Sequence, residues 1–197
     1  MNAVEAALRR ITADLNNRGQ HWALVGGFAV SARAEPRFTR DVDVAVAVPD
    51  DTAAESLVRS LLGSGYRLVA SVEQEATGRL ATIRLTTPIA PGNQDAIVDV
   101  LFASSGIEPE IAAAAEPVEI LPGVTVPVAG VAHLIAVKLL ARDDRTRPQD
   151  LADLNALLGV ATPAELEMAR EAAKLISKRG FDRGRDLIAA LDDLLMR

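Results

Sequence analysis

The sequence contains no cysteine, so disulfides, thiolate zinc sites and a cysteine nucleophile are excluded together. Histidine is nearly as scarce, because His21 and His133 are the only two and lie too far apart for a histidine metal cluster. Aromatic residues make up 3% of the chain, which argues against base recognition by an array of stacked rings. The chemistry of this protein must therefore come from other side chains.

Long hydrophobic runs are also missing. The most apolar stretch, residues 123–137, contains Thr125, Pro127 and His133 and is shorter than a bilayer span. The amino terminus alternates charged and apolar residues and lacks the pattern of a secretory signal. We therefore expect a cytoplasmic protein without a membrane segment. Its 197 residues suffice for one large domain or two small ones with a real core.

The net charge of −6 argues weakly against nucleic acid as a partner. The basic residues are nevertheless grouped, and such groups form either phosphate-binding stripes or solvated helix faces. The first group, near the acidic pair described below, is Arg33, Arg37 and Arg40. Two groups follow later in the chain: Lys138, Arg142, Arg145 and Arg147, and then Lys174, Lys178, Arg179, Arg183 and Arg185.

The most informative feature is the pair Gly26-Gly27, followed by Asp41 and Asp43. Successive strand residues point to opposite faces, so the two aspartates project from the same face of one predicted strand. Two carboxylates held in this way suit a hard cation such as Mg2+, with phosphate oxygens completing its shell. The glycines open a predicted helix, where backbone N–H groups can approach a phosphate. The pattern indicates a nucleoside triphosphate held between a glycine turn and a two-carboxylate metal site.

Asp99 interrupts the strongly apolar predicted strand 96–102. An unpaired carboxylate would be costly to bury there, so a partner is expected. One interpretation is a carboxylate triad with Asp41 and Asp43, in which Asp99 completes a second metal site and accepts a proton from an attacking hydroxyl. The alternative is an ion pair with Arg84.

Lys138 lies among apolar residues in the predicted helix 131–142. Its stem either packs on the sheet, or its charge faces a triphosphate and stabilises the transition state. Asp150 and Asp153 lie one helical turn apart on one face. An acidic residue near a helix start, such as Asp150, is commonplace. Asp153 has no such explanation, and we predict that it orients Lys138.

The composition changes near residue 130, where mixed strands and helices give way to helices only. We predict a catalytic domain over residues 1–130 and a helical domain over 131–197, facing each other across a cleft. In the second domain, Thr146 to Gln149 is typical of a capped helix start, and so is Thr162 to Glu165. The last helix is predicted over 181–196.

The order of these motifs resembles the nucleotidyltransferase superfamily with the DNA polymerase β-like fold. It is most similar to the AbiEii branch, the toxins of bacterial toxin–antitoxin systems that include the mycobacterial MenT toxins. The resemblance covers roughly residues 20 to 158. It rests on Gly26-Gly27, the run from Arg37 to Asp43, Asp99, Lys138 and the run from Arg147 to Leu154. Gln149 stands where the family has a basic residue.

The resemblance implies an α+β fold with a mixed sheet, followed by a helical carboxy-terminal unit. It implies Mg2+ or Mn2+ as the metal, CTP as the donor and the 3′ acceptor end of tRNA as the acceptor, so that translation is blocked. The implied catalytic residues are Asp41, Asp43, Asp99, Lys138 and Asp153, of which the first three hold the metal. The implied nucleotide-binding residues are Gly26, Gly27, Arg37, Arg40 and Asp150.

Control by an antitoxin is a further implication. Related toxins are silenced by partner antitoxins that act as kinases on a hydroxyl in the active site. Thr39 is the first candidate for phosphorylation and Ser31 the second, and a phosphate on Thr39 could pair with the neighbouring arginines.

Two other interpretations remain. In the first, the chemistry is the same and the acceptor is a protein or an antibiotic. In the second, the chain is a non-catalytic nucleotide-binding regulator. The intact set of glycines and aspartates argues against the regulator.

Overall fold

The computed structural model describes residues 3–75, 77–87, 96–143 and 148–196. The strands within these residues are β1 (Trp22–Val25), β2 (Asp41–Val46), β3 (Arg67–Glu73), β4 (Leu80–Thr86), β5 (Ile97–Leu101), β6 (Glu116–Leu121) and β7 (Val124–Val128). The helices are α1 (Ala3–Asn17), α2 (Gly26–Arg33), α3 (Asp51–Gly63), α4 (Glu108–Ala113), α5 (Val131–Ala141), α6 (Pro148–Val160), α7 (Pro163–Lys178) and α8 (Leu187–Leu195).

The strands form one mixed sheet in the order β3-β4-β5-β2-β1-β7-β6. Strands β2 and β5 pair in parallel, and so do β1 and β7, whereas the other neighbours are antiparallel. The α+β class and the mixed sheet expected from the sequence are therefore confirmed. Because β2 and β5 are central, the two strands that carry the predicted carboxylates lie next to each other.

The alternation of β2 separates a functional face from a core face. Val42, Val44 and Val46 are fully buried, while Asp41 and Asp43 are half-buried on the other face. Helix α1 packs against β2 and β5. One face of the central strands is thus sealed by apolar packing, which leaves the opposite face for polar chemistry.

After residue 130, the described elements are all helices, and α5 packs against α6, α7 and α8. The core is continuous, because one cluster of buried apolar side chains includes residues of the sheet and of these helices. Among the described residues, no helix is long and apolar enough to cross a membrane.

Side-chain caps explain the starts of α3, α7 and α8. In α7, Thr162 and Glu165 form the predicted capping box, in which each side chain binds the backbone N–H of the other. Asp50 caps α3 by accepting a hydrogen bond from the Ala53 N–H. Helix α6 begins at Pro148, but Thr146 and Arg147, predicted to start it, lie outside the described residues, as does Arg145.

The predicted last helix over 181–196 is wrong at its start, because α8 begins only at Leu187. Residues 181–186 form a turn in which Arg183 and Gly184 have positive φ values of 57° and 71°. A helix cannot run through left-handed residues. Asp186 then caps α8 by accepting a hydrogen bond from the Ala189 N–H. Asp186 is therefore a helix-start signal in the sequence, but the apolar residues around it favoured a longer helix.

Candidate active site

The two glycines at the start of α2 are required by close contacts. Gly26 has φ +62°, and a Cβ built on it would lie 1.9 Å from Oδ2 of Asp43. A Cβ on Gly27 would lie 2.6 Å from the Thr39 hydroxyl and 2.8 Å from Nη2 of Arg37. No side chain caps the start of this helix. Its first backbone N–H groups thus stand beside the acidic face, in the arrangement that binds phosphate in other proteins.

The three predicted aspartates converge on one point of the sheet. The parallel register of β2 and β5 places Asp43 directly opposite Asp99. One carboxylate oxygen from each of Asp41, Asp43 and Asp99 can be chosen so that all three lie within 4.8 Å of one another. A set of three carboxylates is the donor chemistry that Mg2+ and Mn2+ prefer. The residues present therefore fit a divalent cation.

Asp99 is also held by an arginine, as the alternative interpretation expected. Arg84 on β4 lies opposite Asp99 in the antiparallel β4–β5 pair. Its Nε donates to Oδ1 of Asp99 at 2.8 Å and its Nη2 to Oδ2 at 2.6 Å. This hydrogen bonding raises the pKa of Arg84 further above its already high range. The carboxylate group and the Arg84 ion pair are thus present together.

Lys138 faces a second cluster of charges across from the sheet. Its Nζ lies 2.8 Å from Oδ1 of Asp150 and 2.8 Å from Oδ2 of Asp153, and all three side chains are buried. The ammonium group of Lys138 does not extend to solvent, because it pairs with two buried carboxylates of α6. Asp153 thus lies beside Lys138, and its role in orienting the lysine stays a prediction.

Asp153 joins Lys138 to Arg37. Nε of Arg37 lies 2.7 Å from Oδ1 of Asp153, and its Nη2 donates to Oδ2 at 2.9 Å. Gln149 donates to Oδ1 at 3.2 Å, so it contributes a hydrogen bond where a basic residue would contribute charge. Burial alone would raise the pKa of Asp153, but hydrogen bonds and charge from Lys138 and Arg37 outweigh it and lower the pKa.

A cavity of about 770 Å³ lies between the two clusters. The predicted site residues that line it are Gly26, Gly27, Arg37, Asp41, Asp43, Asp99, Lys138 and Asp150. Its walls come from the sheet on one side and from α5 and the start of α6 on the other. This volume is within the range of small-molecule sites.

The remaining predicted residues lie around the cavity. Thr39 is half-buried, and its hydroxyl donates to Oδ1 of Asp41 at 3.2 Å. Ser31 accepts a hydrogen bond from the Arg37 N–H at 3.1 Å and so holds the loop. Arg40 is exposed and does not line the cavity; its guanidinium lies 5.9 Å from the ring centre of Phe38. Of the five predicted nucleotide-binding residues, all of which the structure describes, Arg40 alone does not line the cavity.

Several residues of the basic groups identified in the sequence contact backbone carbonyls or acidic side chains of the fold. Arg33 donates to the carbonyls of Val128 and Ala129, and Arg179 forms an ion pair with Glu110. Arg185 donates to the carbonyl of Leu140. Arg183, in contrast, lines the cavity from the turn before α8.

Glu108 is a cavity residue that sequence reasoning missed. It is 1% exposed, and its Oε1 accepts hydrogen bonds from the N–H groups of Ser104 and Ser105 and from the Ser105 hydroxyl. Burial raises its pKa above the usual glutamate range despite these bonds. The spacing Ser105-x-x-Glu108 resembles a capping box and predicts the contact between these two residues, but not the burial of Glu108 at the cavity.

The fold and site together define a class. The structure resembles an antigenic nucleotidyltransferase-like protein from Paracoccidioides brasiliensis, with a TM-score of 0.59, 19% identity and coverage of 96% of this chain and 92% of that one. It also resembles the antibiotic-resistance factor ANT(2'')-Ia, with a TM-score of 0.50, 18% identity and coverage of 100% and 93%. The chain therefore has the nucleotidyltransferase fold.

The family follows from the sequence. The model of the nucleotidyl transferase AbiEii toxin family, of type IV toxin–antitoxin systems, matches residues 7–196. The chain belongs to this family and is a nucleotidyltransferase, which confirms the resemblance drawn from its motifs. No curated protein matches the sequence significantly.

Proposed function

We propose that this protein transfers a nucleotide, with CTP as the donor, to the 3′ acceptor end of tRNA and thereby blocks translation. The observation that carries the proposal is the convergence of Asp41, Asp43 and Asp99 beside the Gly26-Gly27 turn in one cavity. A bound Mg2+ would be held by the three aspartates and would neutralise charge that develops on the transferred phosphate.

The chain's own residues would position the donor. Backbone N–H groups at Gly26 and Gly27 would bind phosphate oxygens. Lys138 and Arg37, fixed by Asp153, would face the same phosphates from the other wall. An acceptor hydroxyl oxygen would then bond to the α-phosphorus while the bond to the β-phosphate oxygen breaks, and pyrophosphate would leave.

The hydroxyl proton needs an acceptor. Asp99 was a candidate for this role from the sequence, but both of its oxygens accept hydrogen bonds from Arg84. Transfer of that proton to Asp99 would therefore weaken its ion pair with Arg84.

One feature favours RNA over a protein or an antibiotic as the acceptor. Phe38 is 78% exposed, lies three residues before Asp41, and has the Arg40 guanidinium near its ring. An exposed aromatic ring beside arginines is a surface on which an unpaired base stacks while the cations meet its phosphates. The choice of tRNA and of CTP rests on the family resemblance.

The test is incubation with each α-labelled nucleoside triphosphate, Mg2+ and either total RNA or total protein. Label from CTP should enter the tRNA band, and it should not do so with Asp41→Asn. Glu171→Gln, an exposed acid on α7, is the matched control and should keep full activity. Label in protein, or in neither fraction, would contradict the proposal.

The proposal extends to control by an antitoxin kinase. The Thr39 hydroxyl is 3.2 Å from Oδ1 of Asp41, so a phosphate there would add a charge of roughly −1.5 to −2 next to the carboxylates. It could pair with Arg37 and exclude a triphosphate. Mass spectrometry of the toxin co-expressed with its antitoxin should find phosphate on Thr39, with Ser31 as the second candidate. Full silencing with both residues unmodified would point to an inhibitory complex.

The division into a catalytic domain, residues 1–130, and a helical domain, 131–197, is part of the same proposal. Under it, the sheet wall and the helix wall of the cavity belong to different domains.

A further inference from the structure

Arg84 and a divalent cation would bind the same carboxylate, that of Asp99. The antiparallel pairing of β4 with β5 holds the two residues side by side, and the guanidinium contacts both carboxylate oxygens. A charge-assisted bidentate pair of this kind is among the stronger hydrogen-bonding arrangements in proteins. A cation that coordinates an Asp99 oxygen would bring positive charge against the guanidinium that is bound to the same carboxylate.

The surroundings make the competition unequal once a cation is present. Asp41 and Asp43 also attract Arg84 electrostatically, so the guanidinium offsets charge of the whole acidic group. A divalent ion brings more charge to the same carboxylates and repels the guanidinium at close range. Asp99 is buried, whereas the side chain of Arg84 is half-exposed and lines the cavity. The arginine therefore has space to move, and the aspartate does not.

We propose that Arg84 pairs with Asp99 in the cation-free protein. A divalent cation then displaces the Arg84 guanidinium from Asp99 toward the phosphates of the donor. The proposal rests on the proposed function, because it assumes that the carboxylate group is a cation site. Arg84 thus has two successive roles. It is first the counter-ion of Asp99, and after cation binding its guanidinium donates hydrogen bonds to the triphosphate. Arginine suits the second role because its planar donors match phosphate oxygens.

The primary test is Mn2+ titration of the full chain without nucleotide, followed by the paramagnetic signal of free Mn2+. Arg84→Gln removes the competing charge, and it should bind Mn2+ about tenfold more tightly than the wild type. Arg79→Gln is the matched control, because Arg79 precedes the same strand but pairs with Asp51. It should leave Mn2+ affinity unchanged. Equal or weaker Mn2+ binding by Arg84→Gln would overturn the competition.

The second measurement is nucleoside triphosphate affinity at saturating Mn2+. Arg84→Gln should bind the nucleotide about tenfold more weakly, because the displaced guanidinium is missing. Tighter cation binding together with weaker nucleotide binding is the expected signature. Unchanged nucleotide affinity would overturn the second role of Arg84. Arg84→Lys keeps the charge without the bidentate geometry, so its Mn2+ affinity should fall between those of the wild type and Arg84→Gln.

The outcomes separate this inference from the proposed function. Absence of Mn2+ binding in the wild type, Arg84→Gln and Asp41→Asn alike would overturn both. Opposite changes in Mn2+ and nucleotide affinity without transfer of label to RNA would support the role of Arg84 and reject only the acceptor.

Discussion

The two walls of the cavity differ in how their charged side chains are arranged. On the sheet wall, the three carboxylates of Asp41, Asp43 and Asp99 lie close together, and Asp99 pairs with the guanidinium of Arg84. On the helix wall, two carboxylates of α6 contact two cations, Lys138 and Arg37.

This difference assigns different work to each wall. The sheet wall brings three carboxylates together, which is the set of ligands that a divalent cation prefers. The helix wall is buried and internally paired, so it can hold Lys138 and Arg37 in fixed positions without a ligand. Loss of either partner would leave a buried charge without its counter-ion, which is strongly destabilising.

The largest expected effect is loss of the sheet wall's function. Asp41→Asn should lower nucleotide transfer by about a thousandfold or more, because it removes a cation ligand worth several kcal/mol in the transition state. The fold should remain intact, since the change also relieves repulsion between close carboxylates. Labelled-nucleotide incorporation and circular dichroism measure the two effects. Transfer close to that of the wild type would contradict the carboxylate model.

The next largest effect concerns the ion pairs of the helix wall. Lys138→Met should reduce the free energy of unfolding by about 3–5 kcal/mol, because Asp150 and Asp153 lose the cation between them. Urea denaturation measures it. Activity per folded molecule should fall as well, since the charge that faces the phosphates is gone.

Lys174→Met is the control for that change. Lys174 is exposed on α7 and pairs with Glu171, so its loss should change stability by less than about 1 kcal/mol. If Lys138→Met is equally mild, the helix wall does not depend on its ion pairs. If activity falls only with the folded fraction, Lys138 acts through packing alone.

A smaller effect concerns the rim rather than either wall. Phe38→Ala should weaken binding of a single-stranded RNA oligonucleotide by about 1–3 kcal/mol, the worth of one stacked base. Stability should not change, because the ring is 78% exposed. Fluorescence anisotropy of labelled RNA measures binding, and nucleoside triphosphate affinity serves as the control. RNA affinity equal to the wild type would remove the structural argument for an RNA acceptor.

The smallest effect is a difference in pH dependence. The pKa of Glu108 is raised by burial, so its contribution to stability is full at low pH and is lost as pH rises through that raised value. The pKa of Asp153 is lowered, because its ion pairs outweigh burial, so its contribution is lost instead as pH falls. Glu108→Gln should therefore gain stability relative to the wild type as pH rises from about 4 toward neutrality. A constant difference across pH would show that the buried carboxyl does not titrate.

Much of the site was predictable because it is local in the sequence. The alternation of β2 places Asp41 and Asp43 on one face, and the glycine pair precedes a helix, so these features need only strand and helix periodicity. The capping box at Thr162 followed from spacing alone. The start of α8 was missed, because its apolar pattern extends into a turn with positive φ values.

Partner choice was not predictable, because it depends on which distant segments meet. The sequence allowed Asp99 either a cation or Arg84, and only the alignment of β4 with β5 puts the guanidinium on it. Asp153 was expected near Lys138, but the additional pairing with Arg37, 116 residues away, depends on the packing of α6 against the loop after α2. The position of Glu108 at the cavity was not predicted for the same reason.

The amino-acid sequence alone determined the fold class, the carboxylate pair and the family, because strand alternation, capping and short motifs act over a few residues. The tertiary structure decided how charge is distributed between the walls of the cavity. Electrostatic interactions at 3 Å or less depend on the register of neighbouring strands and on helix packing, and no local pattern specifies these.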